Sequence, residues 1–199
     1  LSITSGGNFD GNNHELTIGG EADGTGDTDD GFAINFFDGS IITGTDTDIT
    51  LTTQASTNVD VLAGTGSLRN LTINHASCAV TLYSTCTLTG GLTITAGSLD
   101  TRAANHPLTV TGATTLGPDS GSADAATLTC NASAVSLGSG TTGAYGLLVT
   151  QGGTFVGGSG THTIGSIVVY NNAAAKCTLS SGVTTINKDC LEVDGPYAR

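Results

Sequence analysis

Aspartates crowd into a glycine-broken run near the start of the sequence, and their carboxylates are the best candidates for binding chemistry. The acidic segment, residues 20–31, contains Asp23, Asp27, Asp29 and Asp30 and no Lys or Arg. Crowded carboxylates suit Ca²⁺, which takes about six to eight oxygen ligands. The spacing matches neither the EF-hand loop nor the Gly-Gly-x-Gly-x-Asp nonapeptide, so a solvated acidic loop is the alternative. We expect either a Ca²⁺ site here or no cofactor.

An aromatic cluster follows the acidic segment directly. It consists of Phe32, Ile34, Phe36 and Phe37. In a strand, alternation would place the first three on one face and Phe37 on the other, so an apolar face would remain for a protein contact. The nearby negative charge opposes unguided self-association. We expect this contact surface to serve a homo-oligomer or docking onto a larger assembly.

The other reactive residue types share no motif. The number of cysteines is odd and no two form a C-x-x-C pair, so we predict that they are small buried side chains. A disulfide, for example between Cys177 and Cys190, is the alternative. Each histidine is predicted at the surface or at a corner of the chain. The carboxylates of the predicted β-helix do not recur at one phase of the repeat, and the sequence does not show whether Arg69 or Arg102 lies near any of them. We expect no catalytic residue and no enzyme, with a polysaccharide lyase or glycoside hydrolase as the alternative.

The charge balance bears on partners. The formal net charge is -12, and such a chain should repel nucleic acid and anionic membranes. No apolar run approaches the roughly 20 residues that a membrane-spanning helix requires. We therefore expect neither nucleic-acid binding nor membrane insertion.

A repeated triplet predicts the elements that position these residues. Apolar–Thr–apolar units such as Leu71-Thr72-Ile73, Leu92-Thr93-Ile94 and Leu108-Thr109-Val110 recur about every 20 residues, with Gly-rich corners between them. No segment shows a helical apolar stripe, while Thr and Val favour strands. The pattern predicts an all-β, single-stranded, right-handed parallel β-helix of about 20 residues per coil, with apolar residues inward and Thr ladders outward.

The same pattern predicts the domain organisation and the register. Residues 1–48 are predicted to form an acidic, Gly-rich cap, residues 49–190 the β-helix, and residues 191–199 an exit segment. Because the chain begins with Leu, we expect it to be a piece of a longer protein. Five triplets are predicted to stack in parallel in one sheet, those beginning at Leu71, Leu92, Leu108, Leu147 and Ile167.

The stretch from Leu71 to Asn172 resembles repeat proteins of marine tailed bacteriophages. The resemblance lies in phrases such as Leu92-Thr93-Ile94-Thr95-Ala96-Gly97-Ser98-Leu99-Asp100 and Leu108-Thr109-Val110-Thr111-Gly112. Similar phrases occur in bacterial adhesins and autotransporter passengers. The resemblance implies a structural protein of the virion surface, such as a capsid decoration, fibre or spike, and a trimer as the form of the expected homo-oligomer. A bacterial extracellular adhesin or matrix protein, and a tailspike-like protein that binds or degrades polysaccharide, are the alternatives.

Overall fold

The computed structural model describes side chains for residues 15, 47–52, 68–82, 84–118, 124–138, 145–170 and 174–188. It also describes the backbone of seven further strand segments: 2–3, 8–10, 16–18, 34–36, 41–43, 56–60 and 192–194. Within these residues the protein is all-β, and none of them lies in a helix. Accordingly, the described part holds no helix that is long and apolar enough to cross a membrane.

The strands are short, as expected for triplets separated by glycine corners. Their bounds are β1 (Ser2–Ile3), β2 (Asn8–Asp10), β3 (Glu15–Ile18), β4 (Ile34–Phe36), β5 (Ile41–Thr43), β6 (Asp48–Leu51), β7 (Ser56–Asp60), β8 (Asn70–Leu82), β9 (Cys86–Leu88), β10 (Leu92–Asp100), β11 (Leu108–Val110), β12 (Thr114–Leu116), β13 (Ala126–Thr129), β14 (Val135–Leu137), β15 (Leu147–Val149), β16 (Gly153–Val156), β17 (His162–Ile164), β18 (Ile167–Tyr170), β19 (Lys176–Thr178), β20 (Thr184–Ile186) and β21 (Glu192–Asp194).

Every described strand pair is parallel, and all of these pairs except β2–β5 belong to three stacks. Stack A contains β3, β6, the first halves of β8 and β10, β12, β15, β18 and β21. Stack B contains β1, β4, β7, the second halves of β8 and β10, β13, β16 and β19. Stack C contains β9, β11, β14, β17 and β20. Because β8 and β10 run through two stacks, A and B join into one 14-stranded, nearly closed, barrel-like sheet.

The chain visits the stacks in a constant order from β8 onward. It runs through A, then B, then C, and returns to A, and we call each such circuit a pass. Each strand that is not at the end of a stack therefore pairs with strands of the preceding and following passes. β2 and β5 form a separate two-stranded sheet. Strands β1 to β5 fall within the predicted cap and are also paired in parallel. The predicted boundaries at residues 48 and 190 stay predictions.

Alternation within each triplet builds one core. Buried and half-buried residues alternate along most described strands, because successive side chains of a strand point to opposite faces. The inward residues of all three stacks join a single cluster. Leu92, Ile94, Leu99 and Val110, which were predicted to point inward, are all fully buried. Each such side chain contributes about 1.5–3 kcal/mol of hydrophobic stabilisation.

Threonines form ladders on the outside, as predicted. In stack A, Thr50, Thr72, Thr93 and Thr115 are aligned in register on four successive strands. Neighbouring strands lie about 4.8 Å apart, so the hydroxyls recur at that interval. Their half-buried side chains stand opposite the fully buried residues of the same triplets.

One predicted register is wrong in part. Of the five triplets predicted to share a sheet, four lie in stack A. The exception is Leu108, which lies in stack C between Cys86 and Val135. The position in stack A that was predicted for Leu108, between Leu92 and Leu147, is occupied by Thr114. All three stacks use the same apolar–Thr–apolar unit, so spacing along the sequence does not reveal to which stack a triplet belongs.

Glycine is required where adjacent passes touch at a corner. Gly158 has a φ of +66°, and a Cβ atom there would overlap the backbone carbonyl of Asn131 in the preceding pass. The amide of the next residue, Ser159, donates to that same carbonyl at 2.7 Å. Only a residue without a side chain allows this approach, because both the conformation and the space exclude a Cβ atom.

Candidate functional site

The residues predicted to bind calcium lie outside the described part of the chain. This applies to Asp23, Asp27, Asp29 and Asp30, so the Ca²⁺ site stays a prediction. Among the residues that the structure does describe, no three His, Cys, Asp or Glu side chains come together as a metal site would require.

The predicted contact surface is described only in its backbone. Ile34 and Phe36 lie in β4, which pairs in parallel with β1 and β7. Phe32 and Phe37 lie outside the described residues. The assignment of this cluster to an oligomer contact therefore stays a prediction.

Asp48 and Arg69 connect two successive passes of the chain. The Arg69 Nε donates to Asp48 Oδ1 at 2.8 Å, and its Nη2 donates to the other carboxylate oxygen. Asn70 Nδ2 also donates to Asp48, and its own Oδ1 accepts from the Gly91 amide of the following pass at 2.7 Å. Hydrogen bonding to the Arg69 guanidinium lowers the pKa of the Asp48 carboxyl. This network holds strands together, which is a structural task for the residues concerned.

Asp100 has a similar role at a corner between stacks B and C. Its Oδ1 accepts from the Arg102 amide and from Asn131 Nδ2, both at 2.6 Å. Below it, the buried Ser133 hydroxyl donates to the Thr101 hydroxyl at 2.8 Å. Arg102 and Asn131 have positive φ values, which such tight corners require. The carboxylate thus satisfies donors in two successive passes of the chain.

The cysteines behave as small apolar side chains, as predicted. Cys78, Cys86 and Cys130 are buried and Cys177 is half-buried, and none of these four residues forms a disulfide. Burial raises the pKa of the Cys86 and Cys130 thiols to about 12. A thiol nucleophile requires the thiolate, so at neutral pH these groups are inert. Cys190 lies outside the described residues.

The prediction for His162 is wrong. Its side chain is fully buried in stack C, where it occupies the inward position that Val135 occupies one pass earlier. His75 and His106 are half-buried near corners, in line with the prediction, and His14 lies outside the described side chains. The alternation Thr161-His162-Thr163-Ile164 carried the missed signal, because it places His162 on the same face as Ile164.

The outer surface of stack C is a regular array of hydroxyls. We call it the hydroxyl face and define it by the outward residues of the five strands: Thr87, Thr109, Ser136, Thr163 and Thr185. These residues are half-buried or exposed and carry no charge. A shallow groove of about 210 Å³ runs beside them and is also lined by Pro107, Ala134 and Thr161.

A second shallow groove lies on the outside of stack A. It has a volume of about 240 Å³ and is lined by Thr93, Thr95, Thr115, Gly117 and Pro118. Hydroxyl groups can both donate and accept hydrogen bonds, so this lining suits a neutral polyhydroxylated ligand. The sequence predicted the outward threonines, but it did not reveal that Pro118 lines the same groove.

Comparison of the chain with known protein families, characterised proteins and solved structures finds no detectable similarity to any of them. The arrangement of the described residues is therefore the basis for a functional proposal.

Proposed function

We propose that this chain is a single-stranded, right-handed parallel β-helix and that it serves as a non-enzymatic structural component of a tailed-phage virion surface. The observation that carries the proposal is the constant order of the three stacks. From β8 to β20, each pass adds one strand, or one half of a long strand, to every stack, so the inward side chains extend one continuous core along the stacking direction. This arrangement gives a rigid rod whose length grows with the number of passes.

The described polar groups support a structural role. Asp48 and Asp100 connect successive passes through hydrogen bonds, and the Cys86 and Cys130 thiols are buried in the core. Each group therefore stabilises the stacking of one pass on the next. The resemblance of the repeat phrases to phage repeat proteins supports placement on a virion.

Immunogold electron microscopy tests the placement. Antibodies raised against the purified chain should label particles of the phage that encodes it, at the capsid, a fibre or a spike. If the antibodies label bacterial cell surfaces and leave the phage particles unlabelled, the result would instead support a bacterial adhesin and overturn the virion assignment. Pre-adsorption of the antibody with the purified chain is the matched control.

Polysaccharide binding is a second candidate, favoured by the hydroxyl-lined groove of stack A. Thr93→Val keeps the shape of the side chain but removes a hydroxyl from this groove, whereas Thr127→Val makes the same change in stack B. If the groove binds glycan, titration with bacterial surface polysaccharides should show weaker binding for Thr93→Val alone. Equal binding by both variants would exclude the groove, and release of reducing ends would instead indicate a degrading enzyme.

Assembly follows from the proposed role. We propose that the cluster of Phe32, Ile34, Phe36 and Phe37 mediates a homo-oligomer, such as a trimer, or docking onto a larger shell. Light scattering of the full chain should give an oligomeric mass that falls in Phe36→Ser. Tyr145→Ser, at an exposed aromatic residue of the described part, is the control. A monomeric parent that also fails to bind particles lacking the protein would overturn this proposal.

A further inference from the structure

His162 is a fully buried imidazole without a polar partner. Its exposed fraction is 0%, and neither ring nitrogen has a hydrogen-bond partner among the described residues. The ring packs edge-on against Phe155, with 6.0 Å between centroids and 66° between planes. A buried polar group without a hydrogen bond is costly, and the same group carrying a charge is far more so.

His162 lies beneath the last described strands of stacks B and C. We call β19 and β20 the closing layer. In stack C, β20 pairs only with β17, and Thr184 lies in register with His162. The inward residues of the closing layer, Cys177 and Ile186, are half-buried, whereas Phe155 and Ile164 in the preceding pass are fully buried. The closing layer is thus the more solvent-exposed cover of a buried imidazole.

The described strands around the ring hold no negative charge that would compensate for a proton on it. β17 pairs with β14 and β20, and β16 supplies Phe155; none of these three strands has a titratable side chain. On β19, Lys176 is exposed, and burial raises the pKa of the Cys177 thiol, which keeps it neutral. A proton on His162 would therefore meet no negative partner on these strands.

We propose that His162 makes the closing layer releasable by mild acid: with the layer in place the imidazole must stay neutral, and with the layer detached it is hydrated and takes up a proton. The direction follows from burial, which lowers the pKa of His162 in the closed state. The open state has the ordinary pKa of about 6.5 and binds the proton first as the pH falls. Stability of the closed layer is thus complete above about pH 6.5 and declines below it, until the pH reaches the lowered pKa of the closed state.

Release would uncover strand edges. The His162 amide donates to the Val183 carbonyl at 2.8 Å, and the Asn187 amide donates to the Ile164 carbonyl at 2.9 Å. Both hydrogen bonds cross between β17 and the segment around β20, so detachment breaks them. Backbone edges exposed in this way can pair with strands of another chain. Acid-dependent detachment of the closing layer would thus change the surface that is accessible to partner proteins at the end of stacks B and C.

Hydrogen–deuterium exchange on the full chain tests the proposal. After correction for the intrinsic exchange rate, we compare opening constants at pH 7.5 and pH 5.0. For an open-state pKa of about 6.5, the opening constant of the His162 and Asn187 amides should rise by up to about 30-fold at pH 5.0. The Thr111 amide, which donates to the Leu88 carbonyl away from the closing layer, should rise far less.

Two variants separate the proton from the packing. His162→Val installs the residue type found at this position one pass earlier, and His162→Gln keeps a neutral polar group. Both should lose the acid-dependent rise, whereas His106→Ala, at a half-buried corner histidine, should keep it. If either His162 variant folds and retains the parent's rise, or if the parent shows no rise at these amides, the proposal is wrong.

Discussion

Replacing Ile94 with Asp probes the inward register of the core. Ile94 is fully buried, and its register partners in the passes before and after it, Ile73 and Leu116, are fully buried too. Loss of the apolar side chain removes about 2 kcal/mol of hydrophobic stabilisation. The new carboxyl must also stay protonated, which at pH 7 costs about 4 kcal/mol, because its usual pKa lies roughly three units lower.

The combined loss of about 6 kcal/mol is comparable with the whole free energy of unfolding of an ordinary domain, about 5–15 kcal/mol. At about 2–4 °C per kcal/mol for a chain of this size, Ile94→Asp should melt at least 10 °C below the parent, or fail to fold. Circular dichroism during thermal and urea unfolding measures the change. At pH 4 the difference from the parent should shrink, because protonating the carboxyl then costs little.

Thr93→Asp is the matched control one position along the same strand. Thr93 points outward and is half-buried, so its replacement should change the free energy of unfolding by about 1 kcal/mol or less. If Ile94→Asp melts like the parent while Thr93→Asp unfolds, the strand faces the other way and the register is shifted by one residue.

Three further predictions concern a corner, the thiols and the acidic segment. Gly158→Ala should destabilise the chain by about 2 kcal/mol or more in urea unfolding, because its φ is positive and its Cβ would overlap the Asn131 carbonyl; an unchanged midpoint would contradict the corner geometry. Iodoacetamide at pH 8 should leave Cys86 unmodified in the native chain and label it after unfolding, because its thiol is buried with a pKa of about 12; peptide mass spectrometry reads the labelling, and rapid native labelling would show that the core is open. If the acidic segment binds Ca²⁺, excess chelator should lower the melting temperature, and an unchanged melt would indicate a solvated loop.

The sequence predicted which side chains enter the core, and the structure bears this out for most triplets. In Leu92-Thr93-Ile94 the outer two residues are buried and the middle one is half-exposed. This alternation is a local property of an extended backbone, so it can be recognised without knowledge of neighbouring strands. The same reasoning predicted the outward Thr ladders, whereas the burial of Cys78, Cys86 and Cys130 was predicted from the lack of a disulfide or metal-binding spacing.

The assignment of each triplet to a stack required the tertiary structure. Leu108 and Thr114 both begin triplets, yet Leu108 pairs in stack C and Thr114 in stack A. The alternation of apolar and polar residues along a strand indicates which face of the strand is buried. It does not identify the strand with which that strand pairs. That partner depends on the length and path of the connecting chain, which differ from pass to pass.

The groove of stack A likewise combines a feature that the sequence predicted with one that only the tertiary structure shows. Thr93, Thr95 and Thr115 were predictable as outward residues, but they share a groove because their strands are paired and Pro118 lies beside them. The interior hydrogen bond between Ser133 and Thr101 likewise joins residues far apart in sequence. Such groupings depend on long-range pairing, so the sequence pattern alone did not predict them.

His162 shows where local pattern and residue type disagree. Its polar ring favoured a surface position, while the alternation with Ile164 favoured the core. By itself, the sequence determined the alternation of faces, because that depends only on the extended backbone. Only the tertiary structure decided that the imidazole is enclosed, because enclosure requires Phe155 from stack B and Thr184 from the next pass to pack around it.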